Sequence, residues 1–525
     1  MRLLAALWLR DPSPAEADTS RRPTDMRNPA FSTLRGMARL RMAAAVLATL
    51  LLGACASTGG LHTHAKAVDP ATLTAGRSLA GVALSPAAWP SRAWWQALGD
   101  AQLDRIVERA LQGQPGLRIA EARVREAQAV ADISGASLSP RVDGRFDSTR
   151  QRFSEHGTVP PPIAGSWQTV NDARLGASYE LDFWGRNRAA LEAALDRSHG
   201  AEVDLQAARL MLTTSLVRTY LRLDTAYAER DLAQATLQMR EHTLELTRKR
   251  VAAQLDSQLE LTQAQAALPA ARERIAQASE AIALIGDQLA ALAGEGPDRA
   301  LDIRRPQLAQ AQPVRLPGDL PIELIGRRPD VVAERWRVEA AAQDIKVAKA
   351  RFYPDISLHA FVGMQRLGFD DFLSAGSRVL GVGPAVSLPI FEGGRLRGNL
   401  ALHQAAHDAA VEKYNATVLA AVHDVVDQLV SLRWLAEQRR QQDQALGLAQ
   451  HAYDLALARY RSGLASYLQV LSAEGQVLAQ KQFVIRSQGR ERELRVNLVR
   501  ALGGGVLPSG QAQASIQRSA HHESP

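Results

Sequence analysis

Hydrophobic and polar residues alternate at every second position in two pairs of short segments along this chain. The first pair is 141–148 and 172–183, joined by a polar loop that contains three consecutive prolines at 160–162. The second pair is 355–363 and 379–390, where Pro384 and Pro389 are unfavourable for a central strand. Period-two alternation is typical of strands with one apolar face. We therefore predict two hairpins, 141–183 and 355–390.

Helical patterns surround each hairpin. Apolar residues recur on one helical face from 100 to 137, before Pro140, and a similar helix is expected at 330–351, before Pro354. Residues 186–250 and 395–461 lack proline and are rich in helix-forming residues, so each predicts a helix of about 100 Å. Return helices are expected at 257–292, interrupted by Pro269, and at 466–502.

The two sets of elements are copies of one unit at a spacing near 210 residues. Each copy reads helix, hairpin, long helix, turn and return helix, which indicates an internal duplication. We assign the first copy to 100–305, with long helices 186–292, and the second to 306–502, with long helices 395–502. A Gly- and Pro-rich linker at 294–320 joins them, and a flexible tail is expected at 503–525.

The N-terminus has the features of a signal peptide. Arg39 and Arg41 precede a short apolar run that ends at Leu52, and the small residues Gly53 and Ala54 precede Cys55. We interpret residues 1–54 as the signal peptide, with Met37 and Met42 as alternative starts, and 55–99 as an extension.

The only cysteine of the chain, Cys55, follows Leu-Gly-Ala, which resembles the lipobox of bacterial lipoproteins. This resemblance implies a covalent lipid on Cys55, and several acyl chains together hold a protein on a membrane. The residue after the cysteine is alanine rather than aspartate, which by the sorting rule of such lipoproteins implies the outer membrane.

Composition and motifs narrow the function classes. The net charge is +7, but the arginines are mixed with acidic residues along the chain, which does not favour nucleic-acid binding. His403 and His407 have a metal-compatible spacing, yet Gln404 replaces the glutamate of the H-E-x-x-H motif, so no metal site is predicted. No phosphate-binding loop or nucleophile elbow is present, and we predict neither a cofactor nor an enzyme.

Four strands cannot close a barrel in a membrane, and an open sheet edge in lipid leaves backbone groups unpaired. Three copies would supply twelve strands. The long helices carry charges throughout and exceed the bilayer thickness about threefold, so they must project into water. We therefore expect an α+β membrane protein whose four strands join those of other copies of the chain in a β-barrel, with the long helices extending across the periplasm.

Ordered motifs over nearly all of the chain after the signal peptide resemble the TolC- and OprM-like outer-membrane factor family, in particular the NodT-type RND efflux lipoproteins. They are Trp94-Trp95 with Leu98-Gly99-Asp100 and Leu103-Asp104, ELDFWGRNRA at 180–189, RRPDVVAERWRVEAAAQDIKVAKARFYPDISL at 327–358, LPIFEGGRLRG at 388–398, and ALGGG at 501–505. The resemblance implies a homotrimer, with a twelve-strand β-barrel of four strands per chain in the Gram-negative outer membrane that is continued by a periplasmic α-helical barrel. It also implies a periplasmic membrane-fusion adaptor and an inner-membrane pump of the RND class, or of the ABC or MFS class, as partners of a passive channel.

The resemblance further implies that the two helical turns form a periplasmic tip that docks the adaptor. The matching residues are Arg250, Ser257, Arg459, Tyr460, Gly463, Ser466 and Leu468. Val251 and Gln254 depart from the pattern, so the first turn is expected to differ in shape. A helix–turn–helix without a docking role is the alternative.

The family often places aspartates just past the second turn, where they form a closed aperture. Here the positions carry Gln469 and Ser472, with Glu260 as a first-copy counterpart, so we expect weaker cation selectivity. The charged strand residues are interpreted as facing a wet lumen rather than a solvated loop: Arg141, Asp143, Arg145, Asp147, Arg174, Glu180 and Asp182.

Three functions are compatible with these features. The first is the outlet of a tripartite pump for drugs or toxic compounds. The second is an outlet for type I protein secretion or for one signalling molecule. The third is a lipoprotein scaffold without a pore, which the alternating hairpins disfavour.

Overall fold

The structure is a computed structural model that describes residues 60–69, 72, 73, 77, 90–309 and 326–505. The expected signal peptide and the lipid-bearing Cys55 lie outside the described residues. The same holds for residues 310–325, which include the end of the expected linker, and for residues 506–525 of the expected tail.

Seven α-helices are found in the described part of the chain. They are α1 (Ala101–Gly113), α2 (Pro115–Ala136), α3 (Arg186–Ala252), α4 (Gln258–Ala293), α5 (Pro329–Ala350), α6 (Arg395–Arg461) and α7 (Tyr467–Ala501). The two long helices have 67 residues each, which gives a length of about 100 Å.

Two details of the helix prediction are wrong. The first helix is broken at Gln114, which has φ −71° and ψ 124°, because a following proline disfavours the helical conformation. By contrast, α4 continues through Pro269. Ala264 and Ala271 are buried on both sides of this proline, and Arg240 donates to the carbonyl oxygen of Ala267 at 2.9 Å. Packing on both sides therefore outweighs the cost of a proline in a helix.

Four strands form one antiparallel sheet in the order β1 (Arg141–Arg152), β2 (Trp167–Glu180), β3 (Asp355–Leu367) and β4 (Arg378–Ser387). The second strand begins before the predicted 172 and ends before 183, and the fourth ends before 390. Within the described chain β1 and β4 are the edges of the sheet, so Pro384 lies in an edge strand, where proline is tolerated.

The duplication is visible in the structure. The series α2, β1, β2, α3 and α4 is repeated as α5, β3, β4, α6 and α7, with helices of matching length. The copies are joined where β2 pairs with β3 and where α5 contacts both α3 and α6.

Two clusters fix the junction between the short and long helices. Trp94 and Trp95 pack in a core with Tyr220 of α3, whose hydroxyl donates to Asp100 at 2.7 Å. In the second copy, the RRPD motif places Arg328 so that it donates to Asp330 at 2.7 Å and to the carbonyl oxygen of Ala501 at 3.2 Å.

The expected tail begins later than predicted. Gly503 and Gly504 are buried, and Gly503 has φ +88° with its ideal Cβ position only 2.4 Å from the carbonyl oxygen of Arg327. The ALGGG motif is therefore part of the packed fold, because a side chain at this position would collide with the backbone.

Residues 60–69 run along α6. Asp408 accepts hydrogen bonds from the backbone N–H groups of His64 and Ala65 at 3.0 and 3.1 Å, and Asn415 accepts one from Val68 at 2.8 Å. In the described residues, no helix combines the length and the apolar character needed to cross a membrane.

Candidate functional site

The sheet has one apolar and one polar face, and the pairing register defines both. Directly paired residues share a face, and the register runs through all four strands without a bulge. Val142, Ala177, Ala360 and Val382 form one row of the apolar face. This face is exposed in the single chain, so it needs an apolar environment.

The polar face carries charges of both signs in an ordered arrangement. Arg145 of β1 is paired with Arg174 of β2, and Asp147 is paired with Asp172. Like charges opposite each other are unfavourable. Each arginine instead forms an ion pair along its own strand, Arg145 with Asp147 and Arg174 with Asp172, the latter at 2.6 Å. The predicted residues Arg141 and Asp143 continue the polar face towards the helices.

The two predicted lumen residues at the end of β2 have other contacts. Glu180 accepts from Arg186 at 2.5 Å, at the start of α3. Asp182 lies beyond the strand and accepts the backbone N–H groups of Asn187 and Arg188 at 3.2 and 2.9 Å. Burial raises the pKa of Asp182, but these hydrogen bonds outweigh it and hold the pKa below its usual value. Asp182 therefore caps the start of α3, and its assignment as a lumen residue stays a prediction.

One aromatic residue on the polar face was not anticipated. Phe361 lies among the charged side chains, with the guanidinium of Arg174 5.1 Å from its ring centre. Its ring occupies the space that a side chain at Gly381 would need, with 2.7 Å to the ideal Cβ position. The glycine at position 381, on the neighbouring strand, is the sequence feature that could have indicated a large side chain at position 361.

The two turns at the far end of the long helices have the same backbone. In the first turn, the N–H groups of Gln254 and Leu255 donate to the carbonyls of Val251 and Arg250. In the second turn, the N–H groups of Gly463 and Leu464 donate to the carbonyls of Tyr460 and Arg459, at 3.0 and 2.8 Å. These four residues are the equivalents of the first four at an offset of 209 positions. Gln254 and Gly463 both have positive φ, 58° and 77°. The expectation that the first turn differs in shape is therefore wrong.

A buried polar network joins the two turns. The guanidinium of Arg250 donates two hydrogen bonds to Asp256, at 2.9 and 3.1 Å, and its Cζ lies 4.5 Å from the ring centre of Tyr460. The Tyr460 hydroxyl donates to Asp256 at 2.5 Å and lies 3.1 Å from the Thr247 hydroxyl. All four side chains are buried in the interface between the ends of α3 and α6.

The charges of this network shift the titration of its members. Burial raises the pKa of Asp256, but hydrogen bonds from Arg250 and Tyr460 outweigh it, so the pKa lies below its usual value. Burial and the adjacent Asp256 carboxylate raise the pKa of Tyr460 to about 12. Arg250 and Tyr460, predicted to dock a partner, are thus held inside the tip.

The outer surface of the tip is partly apolar. Four leucines are 61–71% exposed and form two equivalent pairs at the 209-residue offset: Leu255 with Leu464 and Leu259 with Leu468. Only Leu468 was singled out from the sequence, although the repeat alignment points to the other three. Arg459, Gly463 and Ser466 are also exposed.

The three predicted aperture residues differ in their contacts. Gln469 and Ser472 are exposed on the first turns of α7. Glu260 forms a capping box with Ser257, whose backbone N–H it accepts at 2.9 Å, and hydrogen bonding to the Ser257 hydroxyl lowers the Glu260 pKa. His407 lies 3.8 Å from Asp408, and no set of three metal-ligating side chains is arranged around an ion among the described residues.

A sheet with an apolar outer face, continued by helices of about 100 Å, defines the class of long outer-membrane channel proteins. The family model described as outer membrane efflux protein matches residues 106–295 and 320–504. The chain belongs to this family, and it is an outer-membrane efflux protein.

Relatives and solved structures agree with this assignment. The chain is 42% identical over 363 residues to the fusaric acid resistance protein FusA of Burkholderia cepacia, covering 68% of each chain. It is 30% identical over 479 residues to the multidrug resistance outer membrane protein MdtP of Escherichia coli K12, covering 90% of this chain and 97% of MdtP. The outer membrane protein VceC of Vibrio cholerae superposes with a TM-score of 0.75 at 38% identity, covering 79% of this chain and all of VceC. The outer-membrane channel OprN gives 0.76 at 27% identity, covering 86% and 99%.

Proposed function

We propose that three copies of this chain form a passive twelve-strand channel in the outer membrane, continued into the periplasm by a tunnel of the long helices. The observation that carries the proposal is a sheet with an apolar and a charged face and two unpaired edges, β1 and β4. Unpaired edges cannot persist in lipid. A barrel of twelve strands satisfies all backbone groups while the charged face lines a wet pore.

The internal duplication supplies the register between neighbouring chains. Within one chain the copies meet where Ala177 pairs with Ala360. Arg141 pairs with Ser178 in the first hairpin, and Asp355 pairs with Ser387 in the second. Arg141 therefore corresponds to Asp355, and Ser178 corresponds to Ser387. If the seam between chains repeats the seam between copies, Val386 of one chain lies opposite Phe146 of the next.

Engineered cysteines test this seam. A Phe146→Cys/Val386→Cys variant should form disulfide-linked dimers and trimers on non-reducing gels, because paired residues lie within disulfide distance. A Phe146→Cys/Val382→Cys variant is the matched control, with both thiols on the same face but four residues out of register. Cross-linking of the control alone, or of neither pair in conducting trimers, would contradict the proposed register.

Aromatic residues support the position in the membrane. Trp167 and Tyr179 lie on the apolar face near opposite ends of β2, and strand geometry separates them by about 40 Å. With a tilt of about 40°, this spans about 30 Å along the membrane normal, comparable to the apolar band of such barrels. Trp184 and Tyr353 stack at 4.6 Å beside the helix end of the sheet.

The tip is proposed to dock the periplasmic adaptor of a tripartite pump. An inner-membrane transporter, which we assign to the RND class, would supply the energy. The four exposed leucines support this, since an apolar patch at the end of a charged helical tunnel favours a protein partner. Arg459 and Ser466 are exposed at the same turn as Leu464. Arg250 and Tyr460 would act indirectly by holding both turns in place.

Gln469, Ser472 and Glu260 are proposed to line the closed periplasmic aperture. Neutral side chains at the first two positions support weak cation selectivity, because a carboxylate ring would attract cations. A Ser472→Asp variant should increase cation preference in bilayer recordings. The same preference in both channels would contradict this assignment.

A lipid on Cys55 is proposed as a second membrane attachment, without any other cofactor. The segment after it is fastened by Asp408 and Asn415 to the membrane-proximal part of α6, which supports an anchor at the periplasmic membrane surface. A Cys55→Ala variant should lose incorporation of radiolabelled palmitate and keep the trimer.

The cargo is proposed to be small toxic compounds. The relatives named for fusaric acid resistance and multidrug resistance support this class, while one named for pyoverdine export favours a dedicated exporter as the second candidate. A deletion strain should become sensitive to several unrelated compounds in a panel of antibiotics, dyes, detergents and aromatic acids, and the wild-type gene should restore resistance. An unchanged panel would contradict the multidrug function.

A further inference from the structure

The charges on the apolar face of the sheet are all of one sign. Along the outward positions of the four strands there is no aspartate or glutamate, whereas the polar face carries both signs. The outward charges are four arginines: Arg150, Arg152, Arg366 and Arg378. The unbroken register places them on this face, since Arg150 pairs with Thr169 and Arg378 pairs with Met364.

These arginines are confined to one end of the sheet. Arg150 and Arg152 lie in the last three positions of β1, Arg366 is next to the last residue of β3, and Arg378 is the first residue of β4. All of these positions adjoin the hairpin loops, far from the helices. The helix end of the same face carries Val142, Tyr179 and other uncharged residues. The loop end of the apolar face is thus positively charged and the helix end is uncharged, as expected if the two ends meet membrane surfaces of different composition.

Two of the four arginines have no acidic partner among the residues that the structure describes. Arg152 pairs with Glu155 at 2.6 Å, and Arg366 lies 3.6 Å from Asp371. Arg150 and Arg378 are exposed and form no ion pair with any residue that the structure describes. A guanidinium at the edge of an apolar region needs an anion, and a phosphate matches its paired donors.

We infer that this arginine band binds the phosphate groups of lipid A, the phosphorylated glycolipid of the outer leaflet. The inference rests on the proposed barrel, because only that arrangement turns the apolar face towards lipid with the hairpin loops outside. Trp167, paired with Arg152 on the same face, would lie at the level of the headgroups, where tryptophan is enriched. In the proposed barrel this end of the sheet lies in the outer leaflet, which contains lipid A. We therefore assign lipid A rather than a phospholipid as the occupant.

The test is a titration of purified full-length trimers in dodecyl maltoside with diphosphoryl lipid A, monophosphoryl lipid A and phosphatidylglycerol, followed by native mass spectrometry. Wild-type protein should bind diphosphoryl lipid A most tightly. An Arg150→Gln/Arg378→Gln variant should bind it at least about tenfold more weakly, since two charge-assisted contacts are lost. The matched control, Arg145→Gln/Arg174→Gln, removes two arginines from the opposite face and should bind within twofold of wild type.

Equal binding by wild type and the Arg150/Arg378 variant would overturn the inference, as would equal affinity for phosphatidylglycerol and lipid A or no lipid A binding by wild type. If the double variant does not assemble, the single variants Arg150→Gln and Arg378→Gln should each lose about threefold. Conductance is recorded on the same preparations. Absence of a pore in the wild type would refute the channel proposal, whereas failure of lipid A binding by conducting trimers would refute only the arginine band.

Discussion

The two turns of the tip share a backbone but use it differently. Arg250 in the first turn and Arg459 in the second are equivalent at the 209-residue offset, yet Arg250 is 8% exposed and Arg459 lies on the surface. The reason is a second difference between the two copies, at the position of Asp256. Asp256, the partner of Arg250, corresponds to Ala465, and Arg459 forms no ion pair with a carboxylate among the described residues.

This comparison separates a structural role from the proposed docking role within one motif. The first turn supplies the charged pair, and the second supplies Tyr460, which corresponds to Val251. Neither half could form the joint with a copy of itself, because each lacks the groups that the other provides. Divergence after duplication has therefore produced one buried joint and left Arg459 available to a partner.

Removing the shared carboxylate should have the largest effect. We expect Asp256→Asn to lower the opening free energy of the tip amides by about 3 kcal/mol, because it leaves a buried guanidinium without its counterion. Hydrogen exchange followed by mass spectrometry on the ends of α3 and α6 measures this. The control is Arg459→Gln, which should leave exchange unchanged and weaken adaptor binding. Equal exchange effects of the two variants would remove the distinction between the turns.

The second prediction concerns the hydroxyl that joins the turns. Tyr460→Phe keeps the ring against Arg250 but removes the hydrogen bond to the Asp256 carboxylate. We expect a loss of about 1.5 kcal/mol in the same exchange measurement, the usual contribution of a hydrogen bond to a charged group. In an Asp256→Asn background the further loss should be smaller, and full additivity would show that the two residues act independently.

Period and repeat arguments predicted much of the fold because they depend on local spacing. The alternation at 141–148 and 355–363 reports the pleat directly, and the duplication reports the order of elements. Side-chain partners across the fold were not accessible in this way. Arg250 was predicted to dock a partner, whereas the packing of α3 against α6 encloses it together with Asp256. Asp182 continued the strand alternation although its carboxylate caps α3.

The third prediction tests the backbone that the turns share. Gln254 holds a left-handed conformation that suits Gly463, its equivalent. We expect Gln254→Gly to stabilise the tip by about 1 kcal/mol, since a side chain in this conformation is strained. The reciprocal Gly463→Ala should destabilise it by a similar amount. Thermal unfolding and tip hydrogen exchange measure both, and a loss of stability in Gln254→Gly would indicate an additional contact of the glutamine side chain.

The smallest effect over the accessible range is the response to acid. The pKa of Asp256 is lower in the folded state, so its stabilisation is complete above the unfolded value near 4 and is lost as pH falls through the folded value. The raised Tyr460 pKa, about 12, acts at the other end, with stabilisation lost as pH rises from 10 towards 12. We expect the difference in tip opening between wild type and Asp256→Asn to be constant from pH 5 to 9 and to shrink below pH 4, after correction for intrinsic exchange rates. A difference that already shrinks between pH 7 and 5 would mean that Arg250 does not hold the carboxylate as an ion, and the contrast with the exposed Arg459 would lose its physical basis.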